Sequence, residues 1–397
     1  MTSATLAVDV VVVGAGIVGA ACADAVAALG LRVAVVDRGG IAGGTTSAGE
    51  GNILVSDKAP GPELDLALRS AARWRSIADE VGAEALEYEP KGGVVVARRP
   101  STLAALGTLT TAQRAAGVSV EAVDRAGLAG LEPNLTGDVA GGAWYPQDAQ
   151  VQPMLATAAL LRRARAAGAT LHLGVSVTAI TRDAAGEVTG VRTDAPESPA
   201  IAAPWVVNAA GTWAGDVAAL AGAPIPILPR RGFILVTEPL PRVVRHKVYT
   251  AEYVANVASS GLSLETSVVV EGTRGGTVLI GASRERVGFD ATFSLRVVRR
   301  LAAQAVELFP FLADVSLLRT YLGFRPYCPD HLPIIGEDAR APGLVHACGH
   351  EGAGIGLAAA TGELLAQHLT GRQPDLELAP FRPERFAVAG LVTGIPA

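Results

Sequence analysis

β-branched runs that stop abruptly at glycine set the rhythm of this chain. Asp9 to Val13 is a short β-branched run that stops at Gly14, residues 17–29 follow as an Ala-rich helix closed by Gly30, and residues 31–36 form a second β-branched run ending at Asp37. Strand, glycine turn, helix and strand in that order predict a β-α-β unit with parallel pairing, since a crossover helix is the usual connection between neighbouring parallel strands. Helical periodicity returns at 64–81, 103–116, 154–167 (closed by Gly168), 295–308 and 354–369 (closed by Gly371). Strand signals fall at 93–98, 141–145, 171–177, 206–209, 232–237, 267–271, 278–282 and 343–348, with 188–192 and Ile201 as a short ribbon. The glycine-rich stretch 272–276 separates two of these strands as a hairpin loop. α/β texture therefore alternates with strand-dominated texture. The alternation predicts a nucleotide-binding domain in three pieces (1–86, 148–224, 323–397) and a substrate domain in two (87–147, 225–322).

The first turn carries the most specific chemistry. Gly14, Gly16 and Gly19 form G-x-G-x-x-G directly after a strand, and Ile17 and Val18 open the helix. The first glycine permits the tight turn, the second lets backbone approach a pyrophosphate, and the third lets the helix pack close to the strand. The helix N-terminus supplies unpaired N–H groups and a positive dipole end for the phosphates. Asp37, at the end of the second strand, is placed to accept hydrogen bonds from ribose hydroxyls. After it the chain does not enter a helix but spends residues 38–52 on a small, polar loop containing Arg38, Gly44, Thr45, Thr46, Ser47, Gly49, Glu50, Gly51 and Asn52. Such a loop offers N–H and hydroxyl donors to a second phosphate, ribityl oxygens and a ring edge, which favours FAD over NAD. The expected fold is α/β: a Rossmann-type FAD-binding domain with an inserted antiparallel-sheet α+β substrate domain.

Composition narrows the reading. Half of the residues are hydrophobic but only 5% aromatic, as suits a core of Ala, Val, Leu and Ile around buried parallel strands. A net charge of −5 without any basic run argues against nucleic-acid or anionic-membrane binding. Cys22, Cys328 and Cys348 are widely spaced with no C-x-x-C pair, so no metal or iron–sulfur site is expected and the thiols read as reduced. The apolar opening is interrupted by Asp9 and Asp24 and lacks a basic n-region, so neither a transmembrane segment nor a signal peptide is expected, and the expected location is cytoplasmic.

Four stretches together resemble the D-amino-acid oxidase superfamily, in its glycine oxidase and sarcosine oxidase branch. They are residues 11–19 with Asp37, residues 44–52, residues 206–213, and Gly323-Phe324-Arg325-Pro326 followed by Asp330, Pro333, Ile335-Gly336 and residues 349–355. The resemblance implies that Val177 meets the adenine through its backbone and that Ala210, Gly211 and Trp213 lie beside the cofactor. It further implies that Gly349, His350, Glu351, Gly352, Ala353, Gly354 and Ile355 bring backbone N–H groups to the flavin N1–C2=O edge, where reduced flavin is negative. His350 either adds to that effect or only packs. Gly323 matches the position of a flavin-attaching cysteine in sarcosine oxidase relatives, and Cys328 lies five residues beyond it, so non-covalent FAD is expected.

The implied activity is oxidation of a small amine or amino acid, with hydride passing from the carbon bearing nitrogen to flavin N5 and the imine then hydrolysing. Arg325 matches the position that holds a substrate carboxylate, for which a planar guanidinium is suited; the alternative is an ordinary ion pair. Tyr253 and Tyr249 either hydrogen-bond substrate or belong to the core, Glu50 either orients the amine or faces solvent, and His246 reads as a surface residue. Of the three lysines, only Lys247 is a candidate for promoting reaction with oxygen, so O2 and a partner protein or quinone both stand as electron acceptors. The run 49–58 also resembles subunits of multi-protein opine, hydroxyproline or glycine dehydrogenases, which leaves homo- and hetero-oligomers open. Competing readings are a dehydrogenase of hydroxy acids or polyol phosphates, a non-catalytic FAD-binding assembly subunit, and an NAD-binding regulatory module, the last opposed by the long loop.

Overall fold

The computed structural model describes residues 6–197, 199–253 and 260–388. Val10–Val13, the first long apolar run, is buried along its whole length and lies in the middle of a six-stranded sheet. The order is Ile334–Glu337, Leu344–Cys348, Trp205–Asn208, Val10–Val13, Val33–Asp37, Thr170–Leu173. All neighbours are parallel except the pair formed by Ile334–Glu337 and Leu344–Cys348. A strand covered on both faces reads as a continuous apolar run rather than an alternating one, and for that reason the four consecutive valines could be recognised.

Two helices cover one face of this sheet, Ile17–Ala27 and Gly354–Leu369. Both are lined with Ala and Gly, and a Cβ placed on Gly362 would collide with the backbone oxygen of Ala21. The missing side chain sets the distance between the two helices that carry the nucleotide turn and the C-terminal turn.

A second, eight-stranded sheet runs in the order Leu317–Tyr327, Leu228–Thr237, Val278–Arg284, Glu265–Gly272, Lys247–Thr250, Gly93–Ala97, Gly141–Tyr145, Glu121–Val123. It is antiparallel except where Lys247–Thr250 runs parallel to Gly93–Ala97. Period-two alternation decides its faces. Phe233 and Leu235 pack with Val297, Val298, Leu301 and Leu308 of the amphipathic helix Leu295–Leu308, whereas Gly232 and Ile234 point the other way, into a cleft. That helix is capped by Ser294, whose hydroxyl accepts from the Val297 N–H.

Three expectations change. The stretch 171–177 is two strands and not one: Thr170–Leu173 edges the parallel sheet, and Val177–Arg182 joins a separate four-stranded sheet with Val188–Thr193, Ala200–Ala202 and Leu6–Ala7. Gly174 (φ +70°) turns the chain between them, and most of both strands is only partly buried, so the alternation that would have separated them is weak. The strand Leu317–Tyr327 runs through the expected domain break at 322/323 and pairs along its length with Leu228–Thr237. Finally, His246 is not a surface residue; its Nδ1 and backbone N–H both contact the fully buried Glu132 carboxylate.

A buried polar group pins the segment that follows the cofactor loop. Asp148 accepts from the Val55 N–H (2.8 Å) and contacts the Ser56 hydroxyl, which also contacts the Tyr249 hydroxyl. The Gln113 carboxamide donates to the carbonyls of Ser56 and Lys58 (3.1 and 2.7 Å). Burial pushes the Asp148 carboxyl up to about 7, against the hydrogen bonds from Ser56 and Val55, so it keeps its proton well above the ordinary range.

Two tests follow from this packing. Gly362→Val forces two backbones apart and lowers the free energy of unfolding by about 3 kcal/mol, read as a fall in the urea midpoint; an unchanged midpoint contradicts the close approach. For Asp148 the folded value (about 7) lies above the unfolded one (3.8), so its stabilising contribution is full below pH 3.8 and is lost as pH rises to about 7. Asp148→Asn therefore gains stability relative to the native chain across that window, with a slope approaching about 1.4 kcal/mol per pH unit. A difference that does not change with pH rules this out.

Candidate functional site

The two sheets meet across a cleft of about 550 Å³. At one end is the first turn. Gly14 has φ +117°, and a Cβ on it would run into the Ala209 carbonyl oxygen; one on Gly19 would strike the Gly14 carbonyl. Gly14, Gly16, Ile17 and Val18 line the cleft, while Gly19 lies behind the turn and serves packing alone. The helix start has no side-chain cap at Gly16, although Thr46 Oγ1 accepts from the Ile17 N–H (3.1 Å). Both Asp37 oxygens accept backbone N–H groups, Oδ2 from Ala15 (2.7 Å) and Oδ1 from Gly39 (2.7 Å), which holds the carboxylate at the lip of the cleft.

Of the loop 38–52, Arg38, Gly44, Thr45, Thr46, Gly49, Glu50 and Asn52 line the cleft. Ser47 is turned outward, its hydroxyl donating to the Gly44 carbonyl, and Gly51 lies under the Val151 carbonyl where no side chain fits. The Thr45 and Thr212 hydroxyls both donate to the Phe324 carbonyl (2.6 and 2.7 Å), tying the loop to the strand Leu317–Tyr327. Val177, Ala210, Gly211 and Trp213 line the far end. Trp213 is sandwiched between the Arg38 guanidinium (4.2 Å) and the Phe289 ring (5.3 Å, 7°). Gly39, Gly40, Gly43 and Ala48 of the same loop also line the cleft, as do Val175, Ser176, Asp216, Val217 and Leu220, which carry no motif in the sequence.

Gly349, His350, Glu351, Gly352, Gly354 and Ile355 lie on the cleft wall, immediately before and within the first turn of the helix Gly354–Leu369, and Ala353 does not. The His350 imidazole points away, Nε2 lying 3.0 Å from the Thr361 hydroxyl, and burial lowers it to about 3, so the ring is a neutral packing element and only its backbone faces the cleft. Glu351 is ion-paired with Arg230 (2.6 Å) and His331 (3.1 Å); burial opposes its charge, but these partners hold it below the usual carboxylate range.

The side of the large sheet that faces the cleft carries a row of glycines. Gly232 and Gly323 stand opposite each other on neighbouring strands. A Cβ on Gly232 would strike Arg325 Nη1 and lie 2.6 Å from the Ser283 carbonyl oxygen. One on Gly323 would lie 2.5 Å from the Ala48 side chain, and one on Gly281 2.6 Å from Glu50 Oε1. Arg325 thus lies across the glycine row, partly buried, with Nη1 donating to the Ser283 carbonyl (2.9 Å) and with no carboxylate partner among the described residues. An ordinary ion pair is therefore not what holds it.

Glu50 is 8% exposed, so it does not face solvent. One oxygen accepts from the Asn52 amide (3.1 Å) and lies 3.5 Å from Lys247 Nζ, while Oε1 has no partner among the described residues. Lys247 is bound to Glu271 (2.5 Å) and contacts the Asn52 carbonyl; burial alone would lower its ammonium, but Glu271 and Glu50 overcome this and hold it above its ordinary range. Tyr253 lines the cleft, whereas Tyr249 is turned into the Asp148 network and does not. Cys328 is buried with Ile225, Ile227, Ile334 and Phe386, away from the cleft lining.

The turn geometry fits a dinucleotide: Gly14 and Gly16 put no side chain at the turn, and the N-cap Gly16 makes no side-chain cap, so the helix start presents backbone to the cleft. The family described as FAD dependent oxidoreductase (DAO) matches residues 9–368. Hydrogen cyanide synthase subunit HcnC of Pseudomonas aeruginosa is 30% identical over 95% of this chain and 96% of its own length; its namesake in Pseudomonas protegens is 33% identical, but the match spans only 60% of that protein. Glycine oxidase of Geobacillus kaustophilus is 30% identical over 94% of this chain and 96% of its own length. A crystal structure of glycine oxidase from that organism superposes with a TM-score of 0.86 at 28% identity, covering 96% of this chain and 99% of the other. The cradle at the first strand and a match over nearly the whole chain lead to one conclusion: this protein belongs to the DAO family of FAD-dependent oxidoreductases.

Proposed function

We propose that this protein oxidises a small amino acid at its carbon–nitrogen bond, with FAD held non-covalently along the cleft. The observation that carries this reading is Arg325: a guanidinium without a carboxylate partner, in the same cleft as the dinucleotide cradle. Gly14, Gly16, Asp37, the loop 44–52, Val177 and the turn 349–354 would hold the cofactor, which when bound accepts a hydride from the substrate carbon. A cysteine at position 323 would not fit beside Ala48, and Cys328 is away from the cleft, which supports a non-covalent cofactor.

The chain's own residues supply orientation and charge. Arg325 takes the substrate carboxylate in a planar, two-point contact. Glu50 lies on the cleft wall with Lys247 and Glu271 behind it, and its carboxylate side favours the positive charge that develops on nitrogen as hydride leaves. Tyr253 and Ile234 cover the reacting region with apolar surface and keep water from it.

All three lysines are engaged: Lys58 with Asp57, Lys91 with Glu89 and the Gly272 carbonyl, and Lys247 as above. No unneutralised ammonium is thereby supplied to promote reaction with oxygen. This favours a dehydrogenase that passes electrons to a quinone or a partner protein, in line with the relatives named as subunits. No helix among the described residues is long and apolar enough to cross a membrane, and three buried free thiols suit a reducing, cytoplasmic setting.

Purified protein should be yellow and should bleach anaerobically with small amino acids. Arg325→Ala should keep its flavin yet raise the KM or Kd for such substrates by about 30- to 1000-fold. Unchanged affinity removes Arg325 from the site, and a colourless protein that refuses added FAD removes the whole reading. Turnover with a quinone or dye should exceed turnover with oxygen; the reverse result makes the protein an oxidase.

A further inference from the structure

The arginines around the cleft are treated unequally by the fold. Arg230 is neutralised by Glu351 (2.6 Å) and Glu265 (3.2 Å), and Arg231 by Glu285 and Asp290 (both 2.9 Å). Arg284, at the end of the neighbouring strand Val278–Arg284, is only 5% exposed and has neither an ion pair nor a side-chain hydrogen bond among the described residues. Its one contact of note is with the ring of Tyr253, 4.8 Å from guanidinium to centroid, and Tyr253 lines the cleft. The carbonyl of Ser283, the residue before it, is the group to which Arg325 donates.

Two guanidinium groups are thus held close together, Arg325 on the cleft wall and Arg284 beside it against Tyr253, with no carboxylate in direct ion-pair contact with either among the described residues; Glu351, already paired with Arg230, acts on both only through space. Burial, and then the nearby positive charge of Arg284, lower the Arg325 guanidinium below its ordinary range, so the two side chains feel each other. A cation–π contact offsets only a small part of the cost of withdrawing a guanidinium from water. A fold that neutralises the arginines of the adjacent strand twice over and leaves these two without a direct ion pair favours negative charge supplied from outside.

We propose that Arg284 and Arg325 together form a receptor for two carboxylates, so that the preferred substrate is an amino acid bearing a second carboxylate, on its side chain or on its nitrogen, which Arg284 binds. This rests on the assignment of Arg325 to the substrate's first carboxylate. Tyr253, whose ring lies 4.8 Å from the Arg284 guanidinium, is then the positioning residue that holds it beside the cleft.

The test uses the FAD-loaded protein and two sets of probes. Flavin absorbance is titrated with inert acids, propionate against succinate and glutarate, and anaerobic flavin reduction is followed with alanine against aspartate, glutamate and iminodiacetate. The dicarboxylates should bind and react about 10- to 100-fold better than their single-carboxylate counterparts. The aspartate and glutamate arm, compared with iminodiacetate, assigns the second carboxylate to the side chain or to the nitrogen. Arg284→Met should bring the dicarboxylate-to-monocarboxylate ratio close to one, and Arg284→Lys should keep part of it. If the native protein shows no preference, or if Arg284→Met weakens both classes equally, the proposal falls while amino-acid oxidation stands. If no amino acid bleaches the flavin and no carboxylate perturbs it, both readings fall. The preference of the native protein is measured without any variant, so a misfolded substitution does not obscure the outcome.

Discussion

Backbone must meet backbone where the first strand turns into the first helix, and only residues without side chains allow it. A Cβ at Gly14 would occupy the space of the Ala209 carbonyl, and one at Gly19 that of the Gly14 carbonyl. The strands Val10–Val13 and Trp205–Asn208 can therefore run side by side up to the turn, and the helix Ile17–Ala27 can start directly above it. The same device recurs at Gly362, where the helix Gly354–Leu369 lies against Ala21. These contacts place the starts of two helices, Ile17–Ala27 and Gly354–Leu369, on one cleft. Unpaired N–H groups at a helix start are costly when buried and useful when they face an anion, so this packing fits the proposed cofactor site.

The second sheet uses glycine for a different purpose. Gly232, Gly281 and Gly323 clear a floor on which Arg325, Glu50 and the cofactor loop rest. Charged side chains laid on a sheet and enclosed between domains lose much of their hydration, so each needs a partner. Lys247 with Glu50 and Glu271, Arg230 with Glu265 and Glu351, and Arg231 with Glu285 and Asp290 satisfy that need internally. Arg284 and Arg325 have no direct ion pair among the described residues, and the proposed choice of substrate rests on that difference.

The Asp148 network links the two parts. It fastens residues 55–58 to the turn before Ala149–Gln150, and that short strand pairs with Asn52–Ile53 at the end of the cofactor loop. The loop is thereby anchored in its middle, by Thr45 on the Phe324 carbonyl, and at its end, by this pairing, and it lines the cleft without a regular element of its own beyond a single short turn.

Local physics was enough to read much of this from residues alone. The β-α-β unit, the glycine triplet with Asp37, the helix Leu295–Leu308 and the helix Gly354–Leu369 are written in short-range signals: apolar runs, period 3.6, and glycine where the chain must turn or approach closely. Strands on the second sheet were also legible, but period two only says that a strand has two faces, not which one looks into a cleft. That choice came from the packing of Phe233 and Leu235 on the helix Leu295–Leu308, and it sent Gly232 and Ile234 to the site. The burial of Glu50, the partners of His246 and Lys247, the inward turn of Tyr249, and the unbalanced pair Arg284 and Arg325 each join residues far apart in the chain. Charge balance in a buried site depends on distances between such residues, and only the tertiary structure sets those distances.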